Sequence, residues 1–207
     1  IPLQRLFSQF QGKANGFTKG RDRSFHFGTK EHHIVGMISH LGPQLGVADG
    51  IALANKLKDN KKTTAVFTGD GGASEGDFHE ALNVASVWDL PVIFVIENNK
   101  YGMGTSVNRS SAGDNLSDRG KAYGIVADIV DGMDVIAVRD AALKAMDYCR
   151  SGKGPYILEM KTYRYRGHSM SDPAKYRTRD EVDEIRQNSD PINNIKSIFL
   201  ICSIVVS

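Results

Sequence analysis

Two short apolar runs, residues 64–68 and 91–96, each stop at a cluster of turn-forming residues: Gly69-Asp70-Gly71-Gly72 after the first and Glu97-Asn98-Asn99 after the second. Runs that are apolar throughout, rather than alternating, belong to strands covered on both faces, as in a parallel sheet. Parallel neighbours need a crossover, and the stretch between the runs supplies one. Ser74-Glu75-Gly76-Asp77 has the S-x-x-D form of a helix start, and Phe78, Leu82, Ala85 and Trp88 follow at helical spacing. The pattern predicts a βαβ unit with a right-handed crossover. Residues 125–130 and 156–160 predict two further strands, joined by a helix that turns Val135, Val138, Ala142 and Met146 inward and stops at Gly152 or Gly154. Residues 46–57 combine helical spacing with many small side chains, which suits close packing. The architecture that satisfies all of these is α/β, an open, doubly wound, mostly parallel sheet.

A chain of 207 residues is long enough for one large domain and short for two. With 41% hydrophobic and 24% charged residues it is neither disordered nor fibrous in composition. A net charge of +2 gives no bulk attraction to nucleic acid or to an anionic membrane, so neither is expected as a partner. Cys149 and Cys202 lack CxxC or Cys/His spacing, which argues against a disulfide framework or a zinc site and for a reducing compartment. The leading Ile-Pro-Leu-Gln shows no signal pattern, and the apolar run 198–206 falls short of the roughly 20 residues of a membrane helix; a soluble chain is expected. Residues 1–33 and 163–180 read as long irregular segments, a class that is often functional.

Ligands of open parallel sheets bind outside the carboxyl ends of the strands. Here Gly69-Asp70-Gly71 and, after twenty-six intervening residues, Asn98-Asn99 are expected at neighbouring strand ends. Asp70 offers a hard carboxylate oxygen and Asn99 an amide oxygen, and the turn Asn99-Lys100-Tyr101-Gly102 could aim a backbone carbonyl at the same point. Mg²⁺ is typically held by one or two such protein groups together with phosphate oxygens and water. The set therefore suggests a metal bridging a diphosphate. Gly71 and Gly72 leave backbone bare for a phosphate, and Ala73-Ser74 leads into a helix N-terminus that favours an anion. Each turn alone is ordinary; their conjunction at consecutive strand ends is specific. Other polar residues read more plainly: Glu75 and Glu80 as capping or solvent-facing, His32-His33 as a surface pair, and residues 177–186 as a solvated helix start.

The G-D-G and N-N pair resembles the cofactor motif of thiamin diphosphate enzymes. From about residue 25 to 192 the chain resembles the alpha subunits of the decarboxylating dehydrogenase component of 2-oxo acid dehydrogenase complexes. The segments Glu97-Asn-Asn-Lys-Tyr-Gly-Met-Gly-Thr-Ser-Val107, Tyr148-Cys-Arg-Ser-Gly-Lys-Gly-Pro155 and Tyr163-Arg-Tyr-Arg-Gly-His-Ser-Met-Ser-Asp-Pro173 are similar to the pyruvate dehydrogenase branch. His26-Phe-Gly-Thr-Lys-Glu-His-His33 and Ser39-His-Leu-Gly-Pro-Gln44 are closer to branched-chain 2-oxo acid or acetoin relatives. Carried onto matching positions, the resemblance implies Mg²⁺ ligation by Asp70, Asn99 and the Tyr101 carbonyl, and diphosphate contacts at Gly71 and Gly72. It also implies aminopyrimidine contacts from the backbone of Ser39 and Leu41, and a catalytic and cofactor-facing role for His168. Ser169 matches the position at which animal members are switched off by phosphorylation. The second loop serine of those members is replaced around Ala174-Lys175, so the switch is expected to be unused.

The implied activity is that of a thiamin-diphosphate-dependent 2-oxo acid dehydrogenase alpha subunit. It would decarboxylate a 2-oxo acid, pyruvate first, and pass the acyl group to a lipoyl-bearing acyltransferase. A branched-chain or acetoin substrate, or a non-catalytic truncated remnant, stand as alternatives. In the family a beta subunit supplies the glutamate that activates the cofactor, so activity is expected only in an α₂β₂-like assembly. The implied location is cytoplasmic in a bacterium and the mitochondrial matrix in a eukaryote. Residues 1–192 are expected to form the thiamin diphosphate-binding domain, without the family's N-terminal Tyr-Arg phosphate contact and substrate-facing histidine. Residues 193–207 depart from the family and read as an apolar tail of strong β propensity, an aggregation hazard where exposed.

Overall fold

The computed structural model describes residues 1–37 and 39–205, with backbone alone for 201–205. The chain divides into two compact units, Ile1–Gln44 and Leu45–Ser207.

Residues 1–33 of the first unit are expected to be irregular, yet the unit opens with a helix, α1 (Leu3–Phe10). Among its described residues up to Gly42 there follow turns, a 3-10 turn at Lys30–His32 and an antiparallel bridge between Thr29 and Ile34. Buried Gln9 organises it. The Gln9 amide oxygen accepts from the Thr18 backbone N–H at 3.0 Å, and the Gln9 amide nitrogen donates to Thr18 Oγ1 at 3.0 Å and to the Arg23 carbonyl at 3.2 Å. A buried amide so satisfied costs little and fixes the turn wrapped around it. Phe17 stacks on Phe27 at 4.7 Å, with the Arg5 guanidinium 4.2 Å from the Phe17 ring.

The second unit is the α/β fold the apolar runs predict. Its elements are α2 (Pro43–Leu57, beginning two residues before the boundary), β1 (Thr64–Gly69), α3 (Gly76–Val87), β2 (Val92–Asn98) and a small antiparallel hairpin of β3 (Tyr101–Gly102) and β4 (Thr105–Ser106). They are followed by α4 (Val107–Ser110), β5 (Val126–Asp131), α5 (Val135–Arg150), β6 (Tyr156–Lys161), α6 (Arg179–Ser189) and α7 (Pro191–Val205). The main sheet has the order β1-β2-β6-β5 and is parallel throughout. On one face Val66, Phe94, Ile96 and Ile157 pack with Leu45, Ala48 and Ala52 of α2 and with Phe78, Leu82 and Ala85 of α3. On the other, Ile93, Val95, Tyr156 and Leu158 pack with Ala145 and Cys149 of α5. Alternate residues of β2 thus enter opposite cores, which is why that run reads as continuously apolar. Cys149 is a core residue: its thiol donates to the Val92 carbonyl at 3.6 Å, and burial pushes its pKa up to about 12.

Several local expectations need correction. The S-x-x-D signature is not used: Ser74 ends a 3-10 turn (Gly72–Ser74), and α3 starts after Glu75, which makes no side-chain capping bond. Trp88 is the residue after α3, where the chain turns away, and is 50% exposed. Of the four side chains expected to turn inward from α5, Val138, Ala142 and Met146 pack against the core with Ala145 and Cys149. Val135, by contrast, is exposed at the helix start, where Asp134 caps α5 by accepting from the N–H groups of Ile136 and Ala137. The apolar tail is helical rather than strand-like as far as Val205, and its last two positions lie outside the described residues. Asp190 accepts from the N–H groups of Ile192 and Asn193, both at 3.0 Å, and Pro191 takes the first helical position, so a strong local start outweighs β propensity. Along α7 Phe199 is 67% exposed. α6, with no buried residue, is the solvated helix expected from its charges, and Thr178 caps it. Among the described residues no helix is long and apolar enough to cross a membrane.

Candidate functional site

The site grows from the carboxyl ends of β1 and β2. Their register pairs Gly69 with Glu97, so Asp70 lies level with Asn98 one step further on. The two turns then touch through bare backbone: a Cβ on Gly71 would lie 3.5 Å from the Cα of Gly102, and one on Gly102 would lie 3.7 Å from Asp70 Oδ2. Asp70 is 5% exposed and has no ion pair among the described residues. Burial raises its pKa above the ordinary carboxylate value, opposed by the backbone N–H groups of Asp70 and Asn99 and by the charges of Arg164 and Arg177. Such a carboxylate has lost much of its water without gaining a cation in exchange.

Beyond β2 the chain reverses through Lys100, whose φ of +72° is the left-handed conformation. Two amide side chains stabilise the reversal: Asn98 Oδ1 accepts from the Lys100 N–H at 3.1 Å and Asn99 Oδ1 from the Tyr101 N–H at 3.3 Å. Asn98 is buried and Asn99 half-buried, so of the pair Asn99 is the more open to a ligand.

After β1, the turn Gly72–Ser74 passes so close to Thr68 that a Cβ on Gly72 would overlap Thr68 Oγ1. The turn is gripped from outside by Arg119, whose guanidinium donates to the Ala73 carbonyl and, at 2.7 Å, to Ser111 Oγ. Ahead of that carbonyl Gly71 is exposed and Gly72 buried, so of the two glycines Gly71 is the more open to an anion.

The irregular segment 162–178 folds over the hairpin through aromatic and arginine side chains. Tyr176 stacks on Tyr101 at 4.7 Å. Arg164 donates to the Met103 carbonyl at 3.1 Å and to Tyr176 Oη at 3.0 Å. Arg177 donates to the carbonyls of Arg164 and Asn99. Asp172 collects the other end of the segment, accepting from the His168 N–H at 2.7 Å and the Tyr176 hydroxyl at 2.8 Å. Those contacts, the His168 N–H first, hold its carboxyl below the ordinary range. The His168 ring is exposed, with Nδ1 3.5 Å from Arg164 Nη1, and the hydroxyls of Ser169 and Ser171 lie 3.0 Å apart.

Asp70, Gly71, Gly72, Asn99 and Tyr101 are therefore neighbours, and His168 joins the same hairpin through Arg164, which also holds Met103. Ser39 and Leu41 belong to the first unit, where both are exposed and Ser39 Oγ meets His26 Nε2. His32 pairs with Thr29, while Glu75 and Glu80 face solvent. Among the described residues no three His, Cys, Asp or Glu side chains cluster as a metal site. One carboxylate, one amide and a nearby carbonyl form a set of a different kind, suited to a hard cation that brings its own oxygen ligands. Three residues of this region are not singled out by motif or spacing: Arg119, Arg177 and Glu159. For Glu159 a signal did exist, a lone carboxylate inside the apolar run 156–160.

The dehydrogenase E1 component family matches residues 1–205 of the chain. The pyruvate dehydrogenase E1 component subunit alpha of Rhizobium meliloti is 48% identical over 93% of this chain and 55% of its own length. Its counterpart from Zymomonas mobilis is 49% identical over 92% of the chain and 54% of its own length. The human somatic, mitochondrial form is 44% identical over 95% and 50%. The chain thus spans about half the length of the curated relatives it matches.

Proposed function

The chain belongs to the dehydrogenase E1 component family, and on that footing we propose that it serves as the alpha subunit of a pyruvate dehydrogenase, holding the diphosphate end of thiamin diphosphate through Mg²⁺. The observation that carries the reading is the contact of the two turns, with buried Asp70 lacking an ion-pair partner among the described residues, beside Asn99 and the Tyr101–Gly102 strand.

The residues fit the group. A buried carboxylate without a cation gains by acquiring one, and Gly71 and Gly102 leave no side chain where the turns meet. Asp70, Asn99 and the Tyr101 carbonyl would hold the metal, and Gly71 and Gly72 would offer N–H groups to the diphosphate. Thiamin diphosphate, when bound, supplies the carbon nucleophile and the electron sink that decarboxylation of a 2-oxo acid requires. The remaining tasks fall to the protein. Arg164 and Arg177 add positive charge that reaches Asp70 and would favour an anion beside it. His168, on the segment folded over the hairpin, is the group placed to hold or move a proton at its imidazole. Ser39 and Leu41 are the backbone positions assigned to the aminopyrimidine.

The activating glutamate is assigned to a beta subunit, and the acyl group to a lipoyl-bearing acyltransferase. The compartment proposed is the cytoplasm of a bacterium or the mitochondrial matrix of a eukaryote. Co-expression with a candidate beta subunit, then assay of pyruvate, branched-chain 2-oxo acids and acetoin with an artificial electron acceptor, tests the reading. Pyruvate-dependent turnover that needs both subunits, Mg²⁺ and thiamin diphosphate is expected. Turnover that needs neither the beta subunit, nor Mg²⁺, nor thiamin diphosphate, or binding of neither cofactor nor metal, would overturn it.

A further inference from the structure

Glu159 stands in β6 between Leu158 and Met160 with 0% exposure. A carboxylate in that position is costly to bury, and apolar replacements of such groups often stabilise a fold, so bulk stability does not explain it. Both of its oxygens are committed. Oε1 accepts from Asn98 Nδ2 at 2.7 Å and pairs with Lys161 Nζ at 2.6 Å, while Oε2 accepts from the Ser117 backbone N–H at 2.8 Å.

Those partners lead to the two turns. The register pairs Ile96 with Glu159 and Asn98 with Lys161, so Glu159 reaches across to the last residue of β2, immediately before Asn99. Ser117 lies in the 3-10 helix Leu116–Tyr123, and two residues later Arg119 donates to the Ala73 carbonyl in the turn after Asp70. Arg119 also senses the Glu159 charge, which partly offsets the lowering of its pKa by burial. One side chain therefore touches the support of both turns from beneath, without reaching the metal or diphosphate positions.

We infer that Glu159 is a positioning residue that ties the Asn98-Asn99 end of β2 to the Gly72–Ser74 turn, through Asn98 on one side and Ser117 and Arg119 on the other. It fixes the separation on which joint binding of metal and diphosphate depends. This rests on the cofactor reading above.

The test is titration calorimetry of thiamin diphosphate at fixed Mg²⁺ on the full chain, with a melt of each ligand-free variant. Glu159→Gln keeps the shape but turns one acceptor oxygen into a donor, so one of the two supports is lost. Its affinity is expected to fall about tenfold, with recovery as Mg²⁺ is raised, while the ligand-free variant still melts cooperatively at a somewhat lower temperature. Asn98→Ala and Arg119→Gln leave Glu159 in place and keep the test sharp should Glu159→Gln fail to fold. If Glu159 links the turns, the Asn98→Ala/Arg119→Gln double variant binds little worse than the weaker single variant. Fully multiplicative losses in that cycle, or wild-type affinity in folded Glu159→Gln, would overturn the inference. Absence of binding by the wild-type chain would instead remove the cofactor reading itself.

Discussion

Arg177 Nη2 donates to the backbone carbonyl of Asn99 at 2.6 Å, while its guanidinium carbon lies 4.1 Å from the centre of the Tyr163 ring and 4.9 Å from that of Tyr101. One planar cation thus joins segment 162–178 to the turn that carries Asn99 and Tyr101. A lysine has neither the fork nor the flat face to reproduce this. Arg177→Lys is expected to raise amide exchange across residues 164–176 and 99–103 by about tenfold or more, the scale of one charge-assisted bond plus its stacking. Exchange mass spectrometry reads this directly. Unchanged protection in both segments would mean the two are held by other contacts.

Gly72 is required by Thr68. Gly72→Ala forces its methyl into Thr68 Oγ1 within the buried turn, and a loss of about 1–3 kcal/mol is expected from urea melts. Thr68→Ala removes the obstacle, so the double variant should recover most of that loss. A double variant no better than Gly72→Ala alone would place the strain elsewhere.

Asp49 on α2 is 5% exposed, its Oδ1 finds no hydrogen-bond partner among the described residues, and burial raises its pKa from 3.8 to about 7. Between those values the unfolded chain releases the proton and the folded chain keeps it. Stability therefore declines as pH rises from about 4 to about 7 and levels off above that. Asp49→Asn should be the more stable form at about pH 8, by roughly 1–2 kcal/mol once the solvent left around the group is allowed for, and close to wild type at about pH 4. Denaturant melts across that range check the sign; parallel profiles for the two proteins would contradict it.

Much of the second unit is legible in the sequence because local and tertiary preferences agree there. Residues 91–96 are apolar on both faces because both faces are covered. In the edge strand 64–68 only Val66 and Thr68 are buried and Phe67 on the other face is 59% exposed, so that run corrects the expectation of two covered faces. The Gly and Asx ends of both runs mark where the strands stop. Disagreement appears where local signals compete. Ser74 has the form of a helix cap, but the chain needs a 3-10 turn there to pass Thr68, and Arg119 takes the carbonyl beside it. In α7 a helix start at Asp190-Pro191 overrides an apolar, β-prone composition. The first unit was hardest to read. Its α1 is short, and its order comes from Gln9 bonding to residues nine and fourteen positions away, which no periodicity records.

The same division holds at the site. Asp70, Gly71, Gly72, Asn99 and Tyr101 stand out because their types and spacing carry chemistry. Glu159, Arg119 and Arg177 act through contacts 42 to 78 residues apart in sequence, which only the fold brings together.

The most direct test of the account is calorimetric titration of thiamin diphosphate into the full chain, with and without Mg²⁺, for wild type and Asp70→Ala. The account predicts saturable binding by wild type only when Mg²⁺ is present, and a loss of about a hundredfold or more in Asp70→Ala with its cooperative melt retained. Equal affinity in the two proteins, or wild-type binding indifferent to the metal, would contradict it.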